Sequence, residues 1–345
     1  MLKTLELENF TAFKKARLQF SKGLNIIIGE NGTGKSHLLK LGYAVSSTIT
    51  SFGDKIPARE VAERAIATSL VNIFRPETLG RLASRVQGSA ASSVRMLWGN
   101  DGEIKFSFST RKTEKVDIED IPRYRYLASS VLFIPPKEIL SVFEGFQATL
   151  EKRELAFDST YLDLAKALNI PPLKGKRSAE IGNLVEQLED ILDASIEKKN
   201  NRFYFVSKSK KGRFEAPLVA EGHRKLGMLA FLILNGELGE NAFLFWDEPE
   251  ANLNPRLLVK LARILVELSK IMQVTIATHS LFLLRELEML QEQQELRDAR
   301  YFSLHFGEDG IDVIQGTSSN DIGDIAALDE NVNQSTRYLQ MGEDW

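Results

Sequence analysis

Gly29-Glu30-Asn31-Gly32-Thr33-Gly34-Lys35-Ser36 has the spacing G-x-x-x-x-G-K-[ST]. Glycines at these points let successive backbone N–H groups face one spot, and the N-terminus of a following helix adds partial positive charge there. Together they make an anion cradle. The group that fits is a nucleoside triphosphate, held by Gly29, Glu30, Asn31, Gly32, Thr33, Gly34, Lys35, Ser36 and His37. Lys35 would reach the β- and γ-phosphates, and the Ser36 hydroxyl would bind Mg²⁺. Far along the chain, Ala242-Phe-Leu-Phe-Trp-Asp247-Glu248 reads as a buried strand ending in two carboxylates. Ligands gather at such carboxyl ends in parallel sheets. Asp247 would hold Mg²⁺, directly or through water, and Glu248 would act as general base toward an attacking water. An Asp-Glu pair after a strand can also be a solvated helix cap. Here it runs on as Pro249-Glu250-Ala251-Asn252-Leu253-Asn254-Pro255. His279 follows a third apolar strand, Val274–Ala277. A lone histidine there is either structural or a neutral imidazole for the γ-phosphate or the water. His37, His223 and His305 form no metal-ligand spacing.

The elements that must position these groups follow from periodicity. Leu2, Leu5 and Leu7 lie on one strand face, and Ala16–Phe20 forms its partner. Leu24–Ile28 is a buried strand that stops at Gly29, and a helix begins near Lys35. A helix is expected over Ala58–Phe74, then strands at Ser93–Trp98 and Ile104–Phe108 about the turn Gly99-Asn-Asp-Gly102. Val131–Ile134 is a strand halted by Pro135-Pro136. Residues 137–200 read as helical, with a break at Pro171-Pro172 and a stripe through Ile181, Leu184, Leu188, Ile191, Leu192 and Ile196. Phe203–Val206 and Arg213–Pro217 suggest a hairpin. Helices are expected at Gly222–Leu234, Pro255–Lys270 and Ser280–Glu292, and closing strands at Tyr301–Phe306 and Ile311–Ile314. Strand–helix alternation concentrates at both ends of the chain. The expected architecture is therefore an α/β sheet built from residues 1–49 and 201–345, with 50–200 inserted as a mixed, largely helical subdomain.

Composition narrows the class. The chain has 345 residues, Lys+Arg 44 against Asp+Glu 47, and 43% hydrophobic residues. The charge balance gives no overall basic character for nucleic acid, though local patches remain. Cysteine is absent, which excludes a disulfide framework, a cysteine metal site and a thiol nucleophile. No apolar run approaches a bilayer span and the N-terminus has no signal-peptide core, so a cytoplasmic, soluble protein is expected.

The order of these motifs resembles an ABC-type ATPase head. The transporter branch fits poorly: its Leu-Ser-Gly-Gly-Gln signature aligns here with Val219-Ala220-Glu221-Gly222-His223. Leu5–Phe13 and Gly23–Ser36 are more similar to the SMC, RecF and OLD-like group. Asp247–Pro255 resembles the Asp-Glu-Pro-Glu-x-x-Leu-His-Pro form of OLD-like ATPases. The resemblance covers residues 1–45 and about 215–315. It implies a P-loop NTPase head that binds ATP and Mg²⁺ between two protomers, forming a homodimer or a higher assembly. Glu221, Gly222 and their helix N-terminus would meet the partner's γ-phosphate, and the loop around Asn252 would cross the interface. Two departures stand out. Ala220 replaces the signature serine. Thr11 stands where an arginine often follows the first phenylalanine, leaving Lys14 or Lys15 as substitutes. Gln87 is the one candidate for the Q-loop glutamine.

The chain carries no nuclease signature and no long coiled coil. The resemblance therefore implies a sensor or regulatory ATPase of a DNA-surveillance or anti-phage complex, with a separate effector such as a nuclease. One alternative is a RecF-like repair ATPase that binds DNA directly. The basic segments Lys174–Arg177, Lys198-Lys199 and Lys208–Arg213 would contact phosphates, or are merely solvated turns. The other alternative is a slow ATP-dependent scaffold. No membrane partner is expected.

Overall fold

The computed structural model describes residues 1–53, 55–84, 91–99, 102–111, 114–120, 128–152, 157–175, 178–209 and 212–323, with 334, 336–338 and 340. In chain order the elements are β1 (Leu2–Phe10), β2 (Phe13–Gln19), β3 (Leu24–Gly29), α1 (Lys35–Ser51), α2 (Arg59–Phe74), β4 (Ala91–Trp98), β5 (Gly102–Ser109), β6 (Asp117–Asp120), β7 (Val131–Ile134), α3 (Phe146–Lys152) and α4 (Ser159–Ala167). There follow α5 (Ala179–Leu192), β8 (Ala194–Lys199), β9 (Arg202–Ser207), β10 (Arg213–Glu215), α6 (Glu221–Leu234), β11 (Phe243–Asp247), α7 (Pro255–Ile271), β12 (Gln273–Thr278), α8 (Leu281–Glu292), β13 (Ala299–Gly307) and β14 (Gly310–Gly316).

The central sheet is six-stranded, in the order β14-β13-β3-β12-β11-β7, and only β14 runs antiparallel. Its strands read as unbroken apolar runs because both faces are covered. Ile26, Ile28, Leu244, Trp246, Val274 and Ile276 face a core closed by α5, α6, α7 and α8. Ile27, Phe245, Ala277 and Phe302 face a second core that holds α1, α2 and the five-stranded sheet β2-β1-β4-β5-β6. A third, three-stranded sheet is β10-β9-β8. Among the described residues no helix is long and apolar enough to cross a membrane.

The elements between residues 50 and 200 are divided among these layers. Leu2, Leu5 and Leu7 do share a buried face, helped by a register shift between Leu2 and Thr4, and they pair with Trp98, Met96 and Val94 of β4. β4, β5 and β6 thus extend the N-terminal sheet, because the second edge of β1 needs a partner. β7 forms the outer edge of the central sheet beside β11. Residues 194–199 correct the helical reading of 137–200. The helix stops at Asp193, in the left-handed conformation (φ 48°), and Ile196 faces Phe205 across a strand pair. Ile196 continues the helical spacing by coincidence and belongs to a period-2 pattern.

α6 is seated on that hairpin at Gly227, where an added Cβ would lie 2.5 Å from the Phe205 ring. Gly182, inside α5, has no neighbour within 4 Å of such a Cβ. Urea denaturation should therefore separate two glycine substitutions. Gly227→Val should destabilise by about 1–3 kcal/mol through overpacking. Gly182→Ala should stabilise by about 0.5–1 kcal/mol through helix propensity.

Candidate nucleotide site

The carboxyl ends of β3, β12 and β11 are adjacent and in register, with Ile28 beside Thr278 and Ala277 beside Asp247. That register brings three distant sequence segments to one end of the sheet. The loop after β3 turns through Gly32 and Gly34, both at φ 86°, a conformation that favours glycine. At Gly34 a Cβ would also lie 2.8 Å from the Phe13 ring. Glu30, Asn31 and Gly32 form the exposed tip, and the Thr33 hydroxyl ties the loop by donating to the Glu30 carbonyl at 2.8 Å. Lys35 Nζ crosses the loop and donates to the carbonyls of Gly29 and Glu30, each at 2.8 Å. Burial pushes its pKa down, and the Glu248, Asp247, Glu250 and Glu30 carboxylates oppose that shift. The His37 ring packs on Phe74 of α2, 5.5 Å between centroids, with Nδ1 buried and unpartnered.

Asp247 closes β11 and is 4% exposed. Ser36 lies beside it and favours its charged form, while Oδ1 is buried without a partner. Burial raises its pKa to about 6, Glu248 adds to the rise, and Ser36, Lys40 and Lys35 oppose it. A hydroxyl and an unsatisfied carboxylate oxygen side by side are hard donors that suit Mg²⁺. Glu248 sits in the left-handed region (φ 47°), and its N–H donates to the Ala277 carbonyl at 2.9 Å. His279 Nδ1 lies 3.6 Å from Glu248 Oε1 and 3.5 Å from Glu250 Oε1. Lys35, Ser36, Asp247, Glu248 and His279 therefore share one site.

Glu221 and Gly222 open α6 beside the turn after β11. Asn252 Nδ2 donates to Glu221 Oε1 at 2.7 Å, and a Cβ on Gly222 would lie 2.7 Å from Leu253. Ala220 is the N-cap residue and supplies no side-chain cap, so the first N–H groups of α6 lack one. Thr11 sits in the tight turn between β1 and β2 (φ 48°) with its hydroxyl buried and unpartnered. Lys14 pairs with Asp309 at 2.7 Å and Lys15 with Glu8 at 3.5 Å. Gln87 lies outside the described residues, as do 176–177 and 210–211 of the basic segments. Much of the rest of those segments is engaged within the chain. Lys198 lies over the Phe143 ring and donates to the Leu168 carbonyl, Lys208 pairs with Glu189 and Asp190, and Arg213 stacks on Tyr204.

Sequence reading gave no role to Glu250, Lys225 or the Arg224–Glu138 ion pair (2.6 Å), all of which frame the site. Lys225 had one signal: it lies on the face of Gly222 and Leu229, three and four residues away.

The raised Asp247 pKa has a consequence for stability. The folded state binds this proton more tightly than the unfolded state, so stability falls as pH rises from about 4 through about 6. Asp247→Asn should remove that slope and raise nucleotide-free stability at pH 7 by on the order of 3 kcal/mol. Denaturant titrations at pH 4.5 and 7 check both signs.

Residues 1–298 match the RecF/RecN/SMC N terminal domain. A DNA repair protein RecN from Aquifex aeolicus is 25% identical over 208 residues, covering 56% of this chain and 39% of RecN. An ATP/GTP phosphatase from Helicobacter pylori is 25% identical over 178 residues, covering 50% of this chain and 42% of that protein. The chain thus spans about two fifths of these relatives' length. An Smc head bound to the C-winged helix domain of ScpA superposes with TM-score 0.55 at 13% identity, over 92% of this chain and 98% of that one. An Smc head with an extended coiled coil, bound to the C-terminal domain of ScpA derived from Pyrococcus furiosus, gives 0.51 at 12% identity, over 99% of both chains. These two likenesses concern the fold alone, the mixed α/β architecture of an Smc head domain. With the matched span and the phosphate loop, Asp247-Glu248 and His279 gathered at one sheet end, the chain belongs to the RecF/RecN/SMC N-terminal domain family.

Proposed function

We propose that this chain is a Mg²⁺-dependent ATPase whose working unit is a homodimer closed on ATP. The observation that carries the reading is the gathering of Lys35, Ser36, Asp247, Glu248 and His279 at the carboxyl ends of three adjacent strands. The phosphate-loop N–H groups and Lys35 hold the triphosphate, and Lys35 exchanges its loop carbonyls for phosphate oxygens. Ser36 and Asp247 would hold Mg²⁺, which would supply positive charge against the triphosphate. The Glu248 carboxylate orients the attacking water and takes its proton. His279, 3.6 Å from Glu248, donates toward the γ-phosphate. In the dimer, the uncapped N-terminus of the partner's α6 supplies free N–H groups to the same phosphate.

The relative named as an ATP/GTP phosphatase supports hydrolysis. The relative named for DNA repair supports a role in DNA repair or surveillance. The anti-phage setting and a separate effector, such as a nuclease, rest on the likeness of Asp247–Pro255 to OLD-like ATPases. Because Lys198, Lys208 and Arg213 are engaged internally, we favour output through a partner over direct DNA sensing by these residues.

Phosphate release and light scattering test this reading. Glu248→Gln should lower turnover by about 10²–10⁴-fold, the range for losing a general base, while accumulating ATP-bound dimers. Lys35→Ala should abolish ATP binding. Wild-type turnover by Glu248→Gln would remove the catalytic assignment. Linear duplex DNA should leave wild-type turnover unchanged, whereas strong stimulation would favour the RecF-like alternative.

A further inference from the structure

Two buried charges beside the site have no part in that scheme. Lys225 is 0% exposed, just before the apolar run Leu226–Leu234 of α6, and its ammonium donates to the carbonyls of Glu248 (3.1 Å) and Ala251 (3.0 Å). Taking an ammonium out of water is costly, and a methionine fills a similar volume. Burial brings the lysine's pKa down to about 8, against the pull of Glu250, Glu221, Glu248 and Glu138. What the ammonium holds is the turn that carries Glu248 at φ 47°. A non-glycine residue persists there only where its surroundings over-determine it.

Glu250, 7% exposed, lies within the same turn. Its Oε1 accepts the Thr278 hydroxyl at 2.6 Å and the His279 N–H at 3.1 Å. The turn Glu248–Ala251 is thus tied to α6 by Lys225 and to the end of β12 by Glu250. The start of α6 is in turn fixed by Arg224 to Glu138 after β7 (2.6 Å) and by Glu221 to Asn252 (2.7 Å).

We propose that Lys225 and Glu250 form a buried brace that transmits the position of α6, through the Glu248–Ala251 turn, to Glu248 and His279. Both are positioning residues: neither reaches the phosphates, and each sets the placement of a group that does. The proposal rests on the reading of Glu248 and His279 as the water- and phosphate-facing groups. When the partner's phosphates dock on α6, the brace carries that engagement to the protomer's own base and imidazole.

The test uses the full chain with Lys225→Met, Lys225→Arg, Glu250→Gln and the double variant Lys225→Met/Glu250→Gln. Two readouts are needed: kcat and KM for ATP, and the ring NMR signals of His279. The chain has 4 histidines, and a His279→Gln spectrum assigns the signal. Lys225→Met and Glu250→Gln should each lower kcat by about tenfold or more with KM within about threefold, the pattern of a lost transition-state interaction. Lys225→Arg should recover most of kcat. The double variant should lose about what the worse single variant loses, because one brace is broken either way. Lys225→Met should also move the His279 signals, although its ammonium bonds only the turn's carbonyls.

A kcat for Lys225→Met within about threefold of wild type would overturn the brace. So would additive losses in the double variant, or His279 signals unmoved by Lys225→Met. Should Lys225→Met fail to fold, the near-isosteric Glu250→Gln decides by the same kcat and KM criteria. Should wild type fail to hydrolyse ATP, the ATPase reading falls, and the His279 signals still decide the brace.

Discussion

The structure depends on one buried carboxylate. Asp247 sits at the end of a fully buried strand, beside Ser36 and with Oδ1 unpartnered. A chain selected only for stability would place an asparagine or an apolar residue there. The sheet keeps the carboxylate buried because β12 and β7 flank β11 and packed layers cover both of its faces. In the proposed reading, that energetic cost would favour uptake of a hard cation with its phosphates.

From that point the molecule divides into support and response. β3, β11 and β12 are locked by apolar burial on both faces and hold Lys35, Ser36 and Asp247 within a fixed frame. Glu248 and His279 lie one step beyond the strand ends, where hydrogen bonds and not packing hold the backbone. The positive φ at Glu248 marks the change from one regime to the other. α6 lies next to that boundary, so movement of its N-terminus reaches Glu248 over a few bonds.

The parts legible in the sequence were those whose physics is local. A fully apolar strand running into Gly29 and Lys35 specifies its strand, turn and helix within a short stretch. The Asp247-Glu248 pair was readable for the same reason. Ile196 misled because one apolar residue at helical spacing cannot reveal that the helix has already stopped at Asp193. The pairing of β4 with β1 was not legible, since Val94 and Met96 choose their partner only through long-range register. Lys225 was hidden because a lysine on an apolar helix face ordinarily marks the solvent boundary. Its role emerges only when the carbonyls of Glu248 and Ala251 are placed above it.

The central claim is that ATP is hydrolysed at sites shared between two copies of the chain. The most direct measurement mixes two inactive variants, Lys35→Ala in the phosphate loop and Ala220→Glu at the exposed start of α6. Composite sites predict that each variant alone is silent and that an equal mixture recovers about a quarter of wild-type turnover, from the one intact site in each mixed dimer. A mixture as inactive as its parts, or full activity of Ala220→Glu alone, would contradict the account.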